Sequence, residues 1–431
     1  MKKYLVIILV FLEIQIKAQN VLKLEEAQSI ALEKNWGIKV TEKQIEAVDN
    51  QIFRGNAGMT PTLDWNASFF NVFNQLNQRF FDGREIDRFG VSITPVTNLS
   101  LSWVLYDGRR MNAIMERLIT NGQQSRVQSQ FVIQNTLSNV MQVYYDIQRL
   151  QQSREFLKII IKYYEERLKI TEERWQIGRG SKLDFLQSKT DISTQLADLT
   201  NLENQLKTTK TRLNGLLGRE PNIDFQVSEN TNMDSNYNLE ELLKETKTKN
   251  QEFLLLKKSE EINISNQKEA QSFLLPRITL NSSLGYSFNR NTAGLFALNQ
   301  SVGLNSGITA TWRIFDGHFN KRNVELTKIN GEIIKLQKED LITRIENELN
   351  TSFFQHETDK QLLKLEIENK ALAVENLEIS LEKFKLGAST ILELNDAQTR
   401  FNTAMSRLVN AQFNVKISEL NLLRISGQLV K

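Results

Sequence analysis

The chain has 431 residues, with 54 Lys and Arg against 51 Asp and Glu, two histidines, four prolines, 19 glycines and no cysteine. Without cysteine there is no disulfide framework, thiolate metal site, cysteine nucleophile or lipid-bearing N-terminal cysteine, and His318 and His356 alone cannot build a three-histidine zinc centre. Average usage would supply roughly 20 prolines and 30 glycines, so both helix breakers are scarce and long uninterrupted helices are expected.

Residues 1–18 read as a signal peptide. Lys2 and Lys3 form a positive n-region, Tyr4 to Leu12 is apolar, and Ala18 before Gln19 is a cleavage point. Removing that segment leaves 51 basic and 50 acidic residues, a balance that argues against nucleic acid as partner. Nothing downstream approaches the ~18 unbroken apolar residues of a membrane helix. A helical inner-membrane protein is thereby excluded. An exported soluble protein and an outer-membrane protein built from strands remain.

An opening helix is expected over Leu24 to Arg54, closed off ahead of Pro61. Leu63, Trp65, Ala67 and Phe69 then alternate with polar residues, as do Leu99, Leu101, Trp103 and Leu105, which is the period of a strand. A polar loop is expected between them, around Asn71 to Phe89. From Arg110 to Ile177 there is no proline and almost no glycine, about 68 residues, or ~100 Å as one straight helix. Val140, Tyr144, Ile147, Leu157, Ile161, Tyr164, Leu168 and Trp175 form one heptad-like stripe on it, and Phe156, Ile160, Tyr163, Ile170 and Ile177 a second, so it has neighbours on two sides. Gly178 marks a tight turn into a returning helix.

The chain is then written again. Trp103, Asp107 and Gly108 recur 209 residues later as Trp312, Asp316 and Gly317; Gly178 and Gly218 recur at the same distance as Gly387 and Gly427. Upstream, Leu24, Asn35 and Pro61 recur as Leu239, Asn250 and Pro276 at a distance of 215. The second copy accordingly has an opening helix over Leu239 to Gln271, strands on Ile278 to Phe288 and Val302 to Ile314 joined by a loop at Asn289 to Leu298, and a long helix from Phe319 to Leu386. Its returning helix carries Ala397, Phe401, Ala404, Leu408, Ala411 and Val415, a stripe suited to close antiparallel packing. Residues 19–220 are therefore the first repeat, 221–238 a linker and 239–431 the second repeat. Four strands of about ten residues have the length of membrane strands, but known membrane barrels begin at eight, so a chain of this kind must share strands with one or two further copies.

These features resemble the TolC-like outer membrane efflux protein family. The resemblance rests on the duplicated Trp-x-x-[Tyr/Phe]-Asp-Gly at Trp103 to Gly108 and Trp312 to Gly317, and on the turn motifs Trp175-Gln-Ile-Gly178 with Asp184 and Phe384-Lys-Leu-Gly387 with Glu393 and Asp396. It implies a mainly α protein with a membrane β-barrel: a homotrimer whose strands close one 12-stranded barrel in the outer membrane, continued by an α-helical barrel in the periplasm. The implied function is the exit duct of a tripartite efflux or type I secretion system, with a periplasmic adaptor and an inner-membrane transporter as partners and outer-membrane lipid around the barrel. No cofactor and no catalysis are implied, and no phosphate-binding Gly-x-x-x-x-Gly-Lys-[Ser/Thr] is present. The alternative is a periplasmic coiled-coil adaptor or scaffold, which has no need of four alternating strands.

The resemblance also places the turns. Asp184, Glu393 and Asp396 become candidate gate carboxylates ringing the periplasmic end. Ser181 to Asp184 and Thr390 to Glu393 also read as capping boxes, a purely structural alternative. Gly178, Arg179, Lys182, Phe384, Lys385 and Gly387 become candidate adaptor contacts. Where relatives place a tyrosine and an arginine that lock the tip, this chain has Phe384 and Ser389. Trp103 and Trp312, just ahead of Asp-Gly, are candidate membrane-interface aromatics.

Overall fold

A computed structural model describes residues 21–228, 236–293 and 296–429. The expected signal peptide and residues 229–235 of the expected linker lie outside the described residues. The chain forms two compact units. One comprises Glu42–Gln128 and Glu252–Ile342, the other the segments ending at Thr41, Ser129–Gln251 and Thr343 onward.

The first unit holds the sheet. Strands β2 (Thr62–Arg79), β3 (Glu85–Tyr106), β5 (Arg277–Asn291) and β6 (Leu298–Thr311) pair antiparallel in the order β2-β3-β5-β6. The two repeats meet at the β3–β5 seam, and β2 and β6 are the open edges. The strands run longer than the expected ten residues, and the expected loop at Asn71 to Phe89 is ladder instead: Asn71 pairs with Ile93 and the pairing continues to Arg79 with Glu85. Backbone pairing needs no apolar face, so Asn and Gln extend the hairpin where the hydrophobic alternation has stopped. The expected strand through Ile314 ends earlier, at Thr311.

The long helices α3 (Arg110–Gln176) and α7 (Phe319–Lys385) end within a residue of expectation. Their returning partners are α4 (Lys182–Leu216) and α8 (Ile391–Ser426). In the helical unit, Val140, Tyr144 and Ile147 of α3 pack with Leu206 and Leu213 of α4 and with Ala27 and Ala31, while Ile160 and Tyr164 join Leu377, Leu381, Leu394, Ala397 and Phe401 in a second cluster. The stripes read from the sequence are core over most of their length, but Trp175 and Ile177 at the turn end of α3 are exposed. A two-stranded parallel pair, β1 (Val21–Leu22) with β4 (Gln226–Val227), is pinned by Tyr144, whose hydroxyl donates to Leu22 O (2.9 Å) and accepts from Ser228 N–H (3.1 Å).

Each opening helix is broken once, against expectation: α1 (Leu24–Lys34) and α2 (Trp36–Asp49) part at Asn35, and α5 (Leu239–Lys249) and α6 (Gln251–Ser272) at Asn250. Both asparagines are extended, with ψ of 127°. Each spends its side-chain amide on the orphan carbonyls of a returning helix, Asn35 on Leu216 O (2.7 Å) and Asn250 on Ile425 O (2.8 Å). Gly218 and Gly427 close the same joints with positive φ. A Cβ on either would stand 2.5 Å from Lys34 O or Lys249 O, so only glycine fits.

Candidate functional site

Two regions carry the chemistry, one in each unit. In the sheet, the register sorts the side chains into two faces. One cross-sheet row is Trp65, Leu99, Leu284 and Leu304; two residues further along come Ala67, Thr97, Tyr286 and Val302. The opposite face carries Asn66, Asn98, Gly285 and Gly303, then Ser68, Val96, Ser287 and Ser301. Between the Thr62 and Thr94 levels its one ionisable residue is Asp64. One face is therefore apolar and the other lined by hydroxyls and amides, the division expected of strands between lipid and water. Among the described residues no helix is long and apolar enough to cross a membrane.

The duplicated Asp-Gly is an elbow from sheet to helix. Gly108 and Arg109 both have positive φ, as do Gly317 and His318. Two successive left-handed residues carry the chain from the sheet into the helix start, at a cost for the non-glycine member of each pair. The aspartate then serves the helix start: Asp107 accepts from Met111 N–H (3.2 Å) and Asp316 from Asn320 N–H (2.9 Å). Trp103 and Trp312 brace the elbows. The Trp103 indole donates to Met59 O (3.2 Å) and that of Trp312 to Leu274 O (3.1 Å), equivalent carbonyls in the two repeats. The two residues are 39% and 58% exposed.

At the other region the turns follow the glycine rule. Gly178 (φ 72°) donates to Trp175 O and Arg179 to Arg174 O; Gly387 (φ 75°) and Ala388 repeat this with Phe384 O and Lys383 O, the Schellman ending. Capping follows at once, with Ser181 accepting from Leu183 N–H (3.0 Å) and Thr390 from Glu393 N–H (3.3 Å). Asp184 and Glu393 sit in the first turns, where a carboxylate suits the helix dipole. Asp396 is exposed and ion-paired with Arg400 one turn on (2.8 Å).

The two turns are stitched together through Arg174, which the motifs did not flag. Arg174 stacks 4.5 Å over the Phe384 ring and donates to its carbonyl. Phe384, expected as a contact residue, is 3% exposed and belongs to the interior cluster. Lys385 bridges Glu166 (2.6 Å) and Glu382 (2.8 Å), and hydrogen bonds to those carboxylates hold its pKa above the ordinary value. Lys182 lies over Trp175, which is stacked on Phe185. Arg179 is exposed, and Ser389 has a buried hydroxyl oxygen with no hydrogen-bond partner among the described residues. Deeper in, Arg167 is 1% exposed and joins three helices, donating to Asp191 of α4 and to Asn395 (3.1 Å) and Gln398 (2.8 Å) of α8. An arginine reads as a surface residue in sequence. The available signal was its spacing, since Ile160, Arg167 and Arg174 are seven apart and share one face of α3. No group of His, Asp and Glu suited to a metal ion occurs among the described residues.

The sequence profile of the outer membrane efflux protein family matches residues 27–219 and 247–428. The chain belongs to that family. Outer membrane protein TolC of Escherichia coli (strain K12) is 23% identical over 268 residues, 60% of this chain and 54% of TolC, so the chain matches about half the length of that relative. The outer-membrane channel OprN superposes with a TM-score of 0.78 at 16% identity, covering 94% of this chain and 89% of OprN. The Campylobacter jejuni CmeC outer membrane channel also gives 0.78 at 16% identity, over 94% and 85% of the two chains. At such identities the likeness is one of fold.

Proposed function

We propose that the protein is the outer-membrane exit duct of a tripartite efflux or type I secretion system. The observation that carries this reading is the open four-stranded sheet, with one apolar face, one polar face whose single charge over the Thr62 to Thr94 levels is Asp64, and two unpaired edges. An edge left open in lipid costs several kcal/mol per unpaired group, ~2–7 by transfer scales. Edges β2 and β6 are therefore paired with further copies. In the family's arrangement three copies supply 12 strands, and the long hairpins continue the duct through the periplasm to an adaptor and an inner-membrane transporter. A periplasmic scaffold, the other reading, would leave the amphipathic sheet without a purpose.

In this duct Trp103 and Trp312 lie at the periplasmic interface of the outer membrane, where indoles are favoured. Asp184, Glu393 and Asp396 line the periplasmic entrance, and the turns at Gly178 and Gly387, with exposed Arg179 and Lys182, meet the adaptor. Lys385 serves that surface through its bridge to Glu166. Membrane fractionation with heat-modifiable gel migration tests the proposal. The protein should sediment with outer membrane and run as an oligomer until boiled; recovery in the soluble periplasm would end the duct reading.

A further inference from the structure

On the apolar face of the sheet, one charge interrupts the pattern. Between the row of Trp103, Leu280 and Ile308 and the row of Asn71, Ile93, Arg290 and Leu298, Arg290 is the single side chain charged at neutral pH. It is exposed, and it has no carboxylate partner among the described residues. Its cross-strand neighbours are the apolar Ile93 and Leu298. The other arginines at this end of the sheet include Arg79, paired with Glu85, and Arg84, paired with Asp82. Ten residues separate Leu280 from Arg290 along β5, ~33 Å of strand, or ~25 Å of height at the usual barrel tilt. That is the thickness of the apolar band of an outer-membrane barrel. With the tryptophans at one boundary, Arg290 stands at the other, where the head groups of the outer leaflet begin.

We propose that Arg290 is a binding site for the phosphate of an anionic outer-leaflet lipid. The inference rests on the duct reading, which sets the apolar face against lipid. An arginine stem lies along apolar surface while its planar head reaches the polar layer, and the guanidinium fork matches phosphate oxygens in pairs. An unpaired cation held among Ile93, Leu298 and hydrocarbon has its partner supplied by the membrane.

The test uses the full protein in phosphatidylcholine nanodiscs doped with diphosphorylated lipid A or its dephosphorylated form, with retained lipid counted by mass spectrometry. Wild type should enrich the phosphorylated form, Arg290→Gln should lose about tenfold of that enrichment, the worth of one charge-assisted bond, and Arg290→Lys should fall between. Arg84→Gln should match wild type. Equal enrichment in wild type and Arg290→Gln would overturn the site. Abolition of the preference by millimolar inorganic phosphate would mark a free-phosphate site, and a loss of oligomer in Arg290→Gln would mark a contact between copies; either result would also overturn it. Failure of wild type itself to insert into nanodiscs would overturn the duct reading, and this site with it.

Discussion

Arg167 shows how a single side chain can hold helices from both repeats. Removing one partner of a buried charge pair typically costs ~3–5 kcal/mol, because the remaining charge is left without compensation. Asp191 is partly exposed and can be rehydrated, so Arg167→Met is expected at the low end, ~3 kcal/mol, read as a lower denaturant midpoint of the helical signal. Adding Asp191→Leu should recover part of that loss. His356 offers a pH-dependent counterpart. Ser418 donates its hydroxyl to Val415 O (3.1 Å), so His356 Nδ1–H donates to Ser418 Oγ (3.1 Å), leaving Nε2 a buried lone pair without a partner among the described residues. Burial lowers the His356 pKa below its ordinary 6.5, with Glu419, Glu357 and Asp359 opposing the shift and Lys360 adding to it. As pH falls below 6.5 the unfolded chain takes up a proton that the folded chain refuses, so stability declines until the lower folded-state pKa is passed. Thermal unfolding of wild type should therefore drop between pH 7.5 and 5.5 more than that of His356→Asn.

At the level of elements, the joints at Asn35 and Asn250 are the least forgiving points. Gly427→Ala combines a left-handed φ, worth ~1 kcal/mol or more, with a Cβ only 2.5 Å from Lys249 O. Gly215→Ala, a helical position with open space around it, should be neutral or stabilising. A melting temperature unchanged in Gly427→Ala would show that the joint relaxes freely. The long helices and their turns were legible because each depends on local chemistry: scarce breakers, and a glycine just ahead of a capped helix start. The breaks at Asn35 and Asn250 were not, since each is made by a carbonyl from a helix about 180 residues away. Their trace was present in the repeat itself, where both asparagines and both partner glycines recur. The long β2–β3 hairpin escaped for the opposite reason, being held by backbone pairing with no apolar pattern to announce it. Phe384 was misplaced because a turn motif gives the position of a residue and not the direction of its side chain.

For the whole molecule, the native absence of cysteine makes the shared-edge arrangement directly accessible. In the proposed trimer, β2 of one copy lies beside β6 of the next. Single-cysteine pairs on the polar faces, such as Ser68→Cys with Ser301→Cys and its neighbours one row either way, should give disulfide-linked species up to a trimer. Pairs on β3 and β5, already matched within the chain, should give none. A ladder that stops at two copies would replace 12 strands with eight.

The polar face of the sheet has a consequence for traffic. Its serines, threonines, asparagines and glycines are short and, apart from Asp64, carry no fixed charge over the Thr62 to Thr94 levels. Hydroxyls and amides exchange hydrogen bonds with water and solute nearly one for one, so a molecule moving along them meets neither a deep well nor a steep barrier. Away from Asp64, residence on such a wall in the proposed duct is brief for cation, anion and neutral solute alike. In the proposed duct, discrimination is then exercised before cargo reaches the strands, and the last stretch of the route behaves as a lubricated sleeve whose throughput depends on bore more than on chemistry.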